Sequence, residues 1–107
     1  MDNMDVTALW FRGRFTVHVR GKIAPNATAR LVKVDKPTSP FPEFSGVILR
    51  LETKPPSDGR LTLKTQQVHL THQEPVPYHE RYGYRHLVIL DAHNKVLFNG
   101  QVEMAPI

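Results

Sequence analysis

Apolar and polar residues alternate with a period of two over several short segments of the chain. Between Arg14 and Arg20 the apolar side chains occupy positions 15, 17 and 19, and polar residues separate them. Because successive side chains of a strand leave opposite faces, this pattern predicts a β-strand with one buried face. The same alternation predicts strands at 29–34, 47–51 and 61–70.

The alternation changes phase inside the last of these segments. Gln66 and Gln67 interrupt it before the apolar positions 68 and 70. Two residues out of phase within one strand predict a bulge or a kink at this point.

Two more strands are predicted at 85–90 and 95–104. The residues between them, Asp91 to Asn94, are turn formers, so the two segments are expected to pair as an antiparallel hairpin. The segment 7–11 is a candidate for a short edge strand. No long helix is predicted, because no proline-free stretch of eleven or more residues shows helical periodicity.

The order of these segments predicts an all-β fold. Six or seven strands with two long proline-rich connections, at 37–44 and 74–83, are typical of a single small antiparallel β-sandwich. We expect a Greek-key, immunoglobulin-like domain that spans residues 1–107. A small closed barrel of the same strands is the alternative, because both folds protect strand edges. The Cys-Trp-Cys pattern of immunoglobulins is missing, so Trp10 indicates only a large core or edge side chain.

One contiguous core is predicted from the inward positions of the strands. Its members share the apolar phase of their segments. They are Phe15, Val17, Val19, Leu31, Leu49, Leu51, Leu63, Leu87, Ile89 and Phe98.

Composition limits the chemistry and the compartment. The 107 residues include no cysteine, so disulfides, thiolate metal sites and thiol nucleophiles are excluded. The amino-terminal residues lack the apolar run of a signal peptide, and no apolar stretch approaches the roughly 20 residues of a membrane helix. We therefore expect a cytoplasmic protein that does not contact a membrane. The net charge of +4 permits a polyanionic partner without requiring one.

Six histidines raise the question of a metal site. They are His18, His69, His72, His79, His86 and His93. His69 and His72 are three apart on a predicted strand, so they are expected on opposite faces. The sequence contains neither an H-x-H pair on one strand face nor an HExxH motif. The spacing of the histidines therefore does not indicate a set of ligands around one metal ion. We predict no metal ligands and no cofactor.

Catalytic motifs are also missing from the sequence. The three serines, at positions 39, 45 and 57, lie in or beside loops and outside any Gly-x-Ser-x-Gly motif. The glycines are scattered singly, so no phosphate-binding loop is indicated. No catalytic residue is therefore predicted. Enzymatic activity stays open but is not favoured.

The densest functional chemistry lies in the connection before the strand at 85–90. All three tyrosines of the chain fall there, and the stretch 78–86, which continues into the strand, also contains two arginines and two histidines. Tyrosine and arginine dominate binding hot spots, because they combine rigid area with polar tips. We expect at least one of Tyr78 and Tyr82 to be exposed beside an arginine. The candidate binding residues are Tyr78, His79, Arg81, Tyr82, Tyr84 and Arg85.

A basic sheet face is the second candidate surface. Alternation places Arg14, His18 and Arg20 together, pointing away from the core. The wider cationic set is Arg14, Arg20, Lys22, Arg30, Lys33, Arg50 and Lys64. Nucleic-acid sites on sheets usually interleave aromatic residues with such charges, and this face has none.

Three hypotheses about function follow. The favoured one is a non-enzymatic interaction domain that binds a protein partner or self-associates through the tyrosine- and arginine-rich connection. The second is binding of nucleic acid or another polyanion by the basic face. The third is a small-ligand or enzyme site at one end of the sandwich.

Overall fold

The computed structural model describes residues 2–23, 27–35, 46–54 and 66–105. Most of the described residues are in strands, which confirms the predicted all-β fold. The described residues form one 3₁₀ helix, Tyr78–Tyr84, and eight strands: β1 (Asp2–Phe11), β2 (Arg14–Ile23), β3 (Thr28–Lys33), β4 (Val47–Lys54), β5 (Gln66–Pro75), β6 (His86–Leu90), β7 (Val96–Gln101) and β8 (Glu103–Met104). None of the described helical residues forms a segment long and apolar enough to cross a membrane.

The strands form two separate four-stranded sheets. The first sheet has the order β5-β2-β1-β8 and the second the order β3-β4-β6-β7. Two open sheets with a shared core between them make a sandwich, so the alternative of a single closed sheet is wrong. Pairing is mostly antiparallel, as predicted, but β1 pairs with β8 and β4 with β6 in parallel.

The amino-terminal strand differs from its prediction. β1 has ten residues and pairs along β2, and β8 joins its other side at Leu9 and Trp10. It is therefore neither short nor at the sheet edge. A two-residue turn links it to β2: Arg12 and Gly13 have φ angles of 49° and 80°, which is the type I′ geometry that suits the twist of a hairpin.

The carboxy-terminal hairpin is confirmed, with one correction. β6 and β7 pair antiparallel around a turn in which the Asp91 carboxylate accepts hydrogen bonds from the backbone N–H groups of His93 and Lys95. The predicted strand 95–104 breaks at Val102, whose N–H donates to Arg85 O at 2.8 Å. β7 stays in the second sheet, while β8 joins the first.

β5 extends further than the alternation predicts. It pairs with β2 without a register shift from Gln66 to Pro75, so Glu74 and Pro75 belong to the strand and not to the connection that follows. The segments 61–65 and 37–44, predicted as strand and connection, lie outside the described residues.

The core between the sheets contains most of the predicted residues. Leu31 and Phe98 are partly buried and pack against it, and Leu63 lies outside the described residues. Four buried members of the core are outside the predicted set: Trp10, Val47, Val76 and Val102. The buried members of this core are Trp10, Phe15, Val17, Val19, Val47, Leu49, Leu51, Val76, Leu87, Ile89 and Val102.

The second sheet is also buried on its opposite face. Ile48, Val88, Leu90 and Val34 form a separate buried cluster. Ile48 and Val88 have the opposite parity to Leu49 and Leu87, so they leave the other side of the sheet. The central strands β4 and β6 are parallel neighbours, and continuous apolar runs are typical of strands buried on both faces.

Candidate interaction surface

The connection before β6 is a 3₁₀ helix whose start is attached to β1 and to the first hairpin. The buried Trp10 donates a hydrogen bond from its indole Nε1 to Val76 O at 2.9 Å. The Val76 N–H donates to Gly13 O at 2.8 Å. The ring of Tyr78 packs on Trp10, with 6.0 Å between ring centroids. These contacts hold the start of the helix against the end of the first sheet.

The end of the helix is attached by Tyr84. Its ring lies 5.1 Å from that of the buried Phe15, and its hydroxyl donates to Glu74 Oε1 at 2.5 Å. Tyr84 therefore packs inward and joins the helix to β5. Of the three tyrosines predicted as binding residues, it is the one with a clear structural task.

Tyr78 and Tyr82 are exposed, as predicted, with Arg81 between them. Their side chains are 51% and 57% exposed. The Arg81 guanidinium lies 3.5 Å from the ring centroid of Tyr78 and 4.2 Å from that of Tyr82. It also donates to Tyr78 O and to the Tyr82 hydroxyl, each at 2.7 Å. Two exposed rings are thus fixed in position by one cation.

Arg85 extends this arrangement. Arg85 is exposed, and its guanidinium lies 5.5 Å from the centroid of the Tyr82 ring. Tyr82, Arg85 and Met104 line two adjoining depressions of about 520 and 420 Å³. We call the group Tyr78, Arg81, Tyr82 and Arg85 the tyrosine–arginine surface.

His79, the remaining predicted residue, is exposed on the same helix. Its Nε2 lies 3.8 Å from Glu80 Oε1, so its nearest ionic partner is its own neighbour in sequence. His79 is next to Tyr78 in the sequence, but the contacts described above among Tyr78, Arg81 and Tyr82 do not involve it.

A second exposed aromatic–arginine pair lies at the same end of the first sheet. Phe11 is 44% exposed, and the Arg12 guanidinium lies 5.1 Å from its ring centroid. The hydrogen bond between Val76 and Gly13 places this turn beside the start of the 3₁₀ helix. This pair was not predicted from the sequence. The stretch Phe-Arg-Gly-Arg could have indicated it, because a hairpin turn at these residues places them at the surface.

A part-buried polar network includes Tyr84, the last residue of the 3₁₀ helix that carries most of the tyrosine–arginine surface. The Glu74 carboxylate accepts hydrogen bonds from Lys33 Nζ at 2.8 Å and from Tyr84, and it lies 2.7 Å from His72 Nε2. Lys33 Nζ also lies 3.1 Å from the Tyr84 hydroxyl. The network joins β3 to β5, and so links the two sheets at one side of the sandwich.

Burial and hydrogen bonding shift the pKa values of Glu74 and Lys33 in opposite directions. Burial raises the pKa of Glu74, but hydrogen bonds from Lys33, Tyr84 and His72 outweigh it and leave the pKa below its ordinary value of 4.5. Burial lowers the pKa of Lys33, but its bonds to Glu74 and Tyr84 leave it above 10.5. For Tyr84, burial and the bond to Glu74 both raise the pKa above 10.0.

The predicted basic face is divided by the fold. Arg14, His18 and Arg20 share the outer face of the first sheet, as expected from their parity. Arg30, Lys33 and Arg50 belong to the second sheet, so they do not extend that face. Several of the described cations have partners. Arg14 donates to Gln73 at 3.2 Å and Arg50 donates to Asn94. Arg30 pairs with Glu52 at 2.6 Å, and Lys33 pairs with Glu74. Lys64 lies outside the described residues.

The two histidines of β5 lie as their spacing predicts. His69 is exposed and His72 half-buried on opposite faces of β5, which confirms the prediction from their spacing. His72 packs edge-on against Phe15. Among the described residues, no group of three or more potential ligands converges on a metal position.

Comparison of the chain with protein-family models, with curated proteins and with solved structures finds no match. Function is therefore inferred from the residues of the surface themselves.

Proposed function

We propose that this chain is a non-enzymatic interaction domain that binds a protein partner through the tyrosine–arginine surface. The observation that supports the proposal most directly is the position of Arg81, which holds two half-exposed tyrosine rings apart and in place. Tyrosine, tryptophan and arginine are the residue types in which binding energy is most often concentrated.

The surface is rigid before any partner arrives. Two hydrogen bonds fix the Arg81 guanidinium, and Trp10 supports the ring of Tyr78 from below. Binding costs free energy for every side chain that it orders, about 0.5–1.5 kcal/mol for a flexible one. Side chains that are already ordered avoid much of this cost. The contacts that a partner makes with this surface therefore contribute more of their free energy to affinity.

Charge favours an acidic partner over a second copy of the chain. Arg81 and Arg85 belong to the surface, and Arg12 lies near its edge, whereas Glu80 is the acidic residue of the helix. A second copy would bring the same arginines and a second net charge of +4. An acidic segment instead gains from complementary potential, and Arg85 can pair with a carboxylate through two parallel N–H groups.

The sandwich itself supports the same proposal. Immunoglobulin-like domains, which the strand spacing predicts, carry binding residues at one end of a rigid frame. Here the exposed aromatics Phe11, Tyr78 and Tyr82 lie at one end, attached to β1 and β5. The depressions beside Arg85 are open to solvent, which suits contact with a protein segment better than enclosure of a small ligand.

Selection from a random peptide library tests both the surface and the charge of its partner. The wild-type domain is the bait, and the double variant Arg81→Ala/Tyr82→Ala is the counter-bait. We expect enriched peptides to be acidic with an apolar anchor, and to lose at least about tenfold in affinity for the double variant, the effect of about 1.4 kcal/mol. Arg14→Ala, on the outer face of the first sheet, should bind them as the wild type does.

A loss of peptide binding is informative only if the double variant stays folded. Both positions are at the surface, and such substitutions usually change stability by less than about 0.5 kcal/mol, which corresponds to a few degrees in melting temperature. Peptides without acidic residues, or equal binding to both baits, would refute the proposal. A dimer in light scattering that the double variant dissociates would replace the acidic partner by a second copy.

A further inference from the structure

The outer face of the first sheet brings two histidines into contact. His18 Nδ1 and His69 Nε2 are 2.9 Å apart, and their ring centroids are 5.0 Å apart. The Thr71 hydroxyl lies 3.3 Å from the same nitrogen of His18. The two rings belong to neighbouring strands and are separated by 51 positions in the sequence.

The register of β2 and β5 produces this contact. His18 lies opposite Thr71, and Arg20 lies opposite His69. His18 and His69 are therefore diagonal neighbours on one face, a separation that long or aromatic side chains can bridge. No local motif indicates the pair, because each histidine stands alone among the outward positions of its own strand.

The short distance requires one nitrogen to donate and the other to accept. At least one imidazole therefore presents an in-plane lone pair to its neighbour. A neutral imidazole nitrogen is a good ligand for copper, zinc and nickel ions. Two metal–nitrogen bonds of about 2.0–2.1 Å at a right angle span about 2.9 Å, which is the separation of these two nitrogens.

We propose that His18 and His69 form a two-nitrogen site for a divalent transition-metal ion that replaces the hydrogen bond between the rings. The donating ring takes its other neutral tautomer, with the proton on the nitrogen that faces away, so that both facing nitrogens have a free lone pair. The two rings then turn to direct these lone pairs to an ion that lies to one side of the line between the nitrogens. Because stability with nitrogen ligands rises along the first-row series to copper, Cu²⁺ is the ion that should bind most strongly.

The surroundings limit the affinity of this site. Two protein ligands leave the remaining positions to water, unlike the four ligands of a structural zinc site. Arg20, directly opposite His69, adds a repulsive positive charge. We therefore expect a dissociation constant on the order of micromolar.

Electron paramagnetic resonance with Cu²⁺ alone tests the site on the full chain. We expect a stoichiometric species with two coupled imidazole nitrogens. His18→Gln and His69→Gln should each lower the affinity at least about tenfold, and each should leave a species with one nitrogen at most. The matched control is His93→Gln, an exposed histidine in the β6–β7 turn, which should retain the wild-type spectrum.

Two results would overturn the proposal: a wild-type spectrum with a single coupled nitrogen, or equal affinity in the three variants. Circular dichroism checks that each variant is folded, and both substituted side chains lie on the outer face of the sheet, where glutamine is tolerated. The site is independent of the tyrosine–arginine surface, so Arg81→Ala/Tyr82→Ala should bind Cu²⁺ as the wild type does.

Discussion

Three tyrosines within seven positions of the sequence have two different tasks in the folded chain. Tyr78 and Tyr82 lie at the surface against Arg81, whereas Tyr84 packs on Phe15 and donates to Glu74. The difference follows from the 3₁₀ helix, because an extended segment would have placed these residues on one face. Tyr84 thereby attaches the helix that carries Tyr78 and Tyr82 to the core and to β5.

At the same scale, Glu74 predicts how stability depends on pH. Its pKa is lowered on folding, so the ionised carboxylate stabilises the native state above the ordinary value of 4.5. This stabilisation is lost as the pH falls through the lower folded value. Glu74→Gln should therefore cost about 1 kcal/mol at pH 7, a modest figure because the Lys33 side chain is 44% exposed. Urea denaturation at pH 7 and pH 3 measures it.

The gap between wild type and Glu74→Gln should narrow as the pH falls below 4.5 towards pH 3, because the carboxylate is progressively protonated through its lowered folded pKa. Glu52→Gln, which removes a more exposed ion pair with Arg30, is the control and should have a smaller effect at pH 7. A gap of equal size at both pH values would show that the carboxylate charge does not stabilise the fold. Lys33 and Tyr84, whose pKa values are raised, lose their contribution only above about pH 10.

Among the elements, β4 and β6 differ most from a simple half-buried strand. Alternation identifies Leu49 and Leu87 as inward residues, and both are fully buried. Their neighbours Ile48 and Val88 are buried too, on the other face of the sheet. A strand with both faces covered has no solvent side, and the run from Leu87 to Leu90 is apolar throughout for that reason.

Substitution on the two faces of β4 tests this arrangement. Leu49→Ala and Ile48→Ala should each cost about 2–5 kcal/mol, because each leaves a cavity in a packed environment. Val96→Ala, at an exposed position of the edge strand β7, is the control and should cost under about 0.5 kcal/mol. Chemical denaturation measures all three. A small loss for Ile48→Ala beside a large loss for Leu49→Ala would mean that the second sheet has one solvent face after all.

For the molecule as a whole, the fold decides what its positive charge can do. The cations of the predicted basic face are distributed over two sheets, and Arg30 and Lys33 are neutralised by Glu52 and Glu74. Few of them can contact one polyanion together. We therefore expect the net charge of +4 to provide long-range attraction rather than a nucleic-acid site.

Salt dependence provides the corresponding prediction. Fluorescence polarisation with a single-stranded oligonucleotide should show only weak binding at about 20 mM salt, because few cations contact phosphates together. This weak binding should fall below detection near 150 mM, because added salt opposes the release of counterions. Arg14→Gln/Arg20→Gln should weaken the low-salt binding, and Arg30→Gln, whose cation is already paired, should not. Binding that persists at physiological salt would favour the polyanion hypothesis over the protein partner.

The strands predicted at 14–20, 29–34 and 47–51 and the last hairpin were determined by the sequence alone. These features depend on alternation and turn chemistry over a few neighbouring residues, as in the segment from Arg14 to Arg20, so they can be interpreted locally. The exposure of Tyr78 and Tyr82 was also predictable, because a proline-bounded stretch rich in polar residues lies at the surface.

Tertiary structure alone decided how these parts combine. The parallel pairing of β4 with β6, the switch of sheets at Val102 and the ten-residue pairing of β1 depend on contacts between distant segments. The approach of His18 to His69 depends on the same strand register, which no local pattern specifies. Local alternation determines which face a side chain takes, but only the packing of the sheets determines which other side chains it meets there.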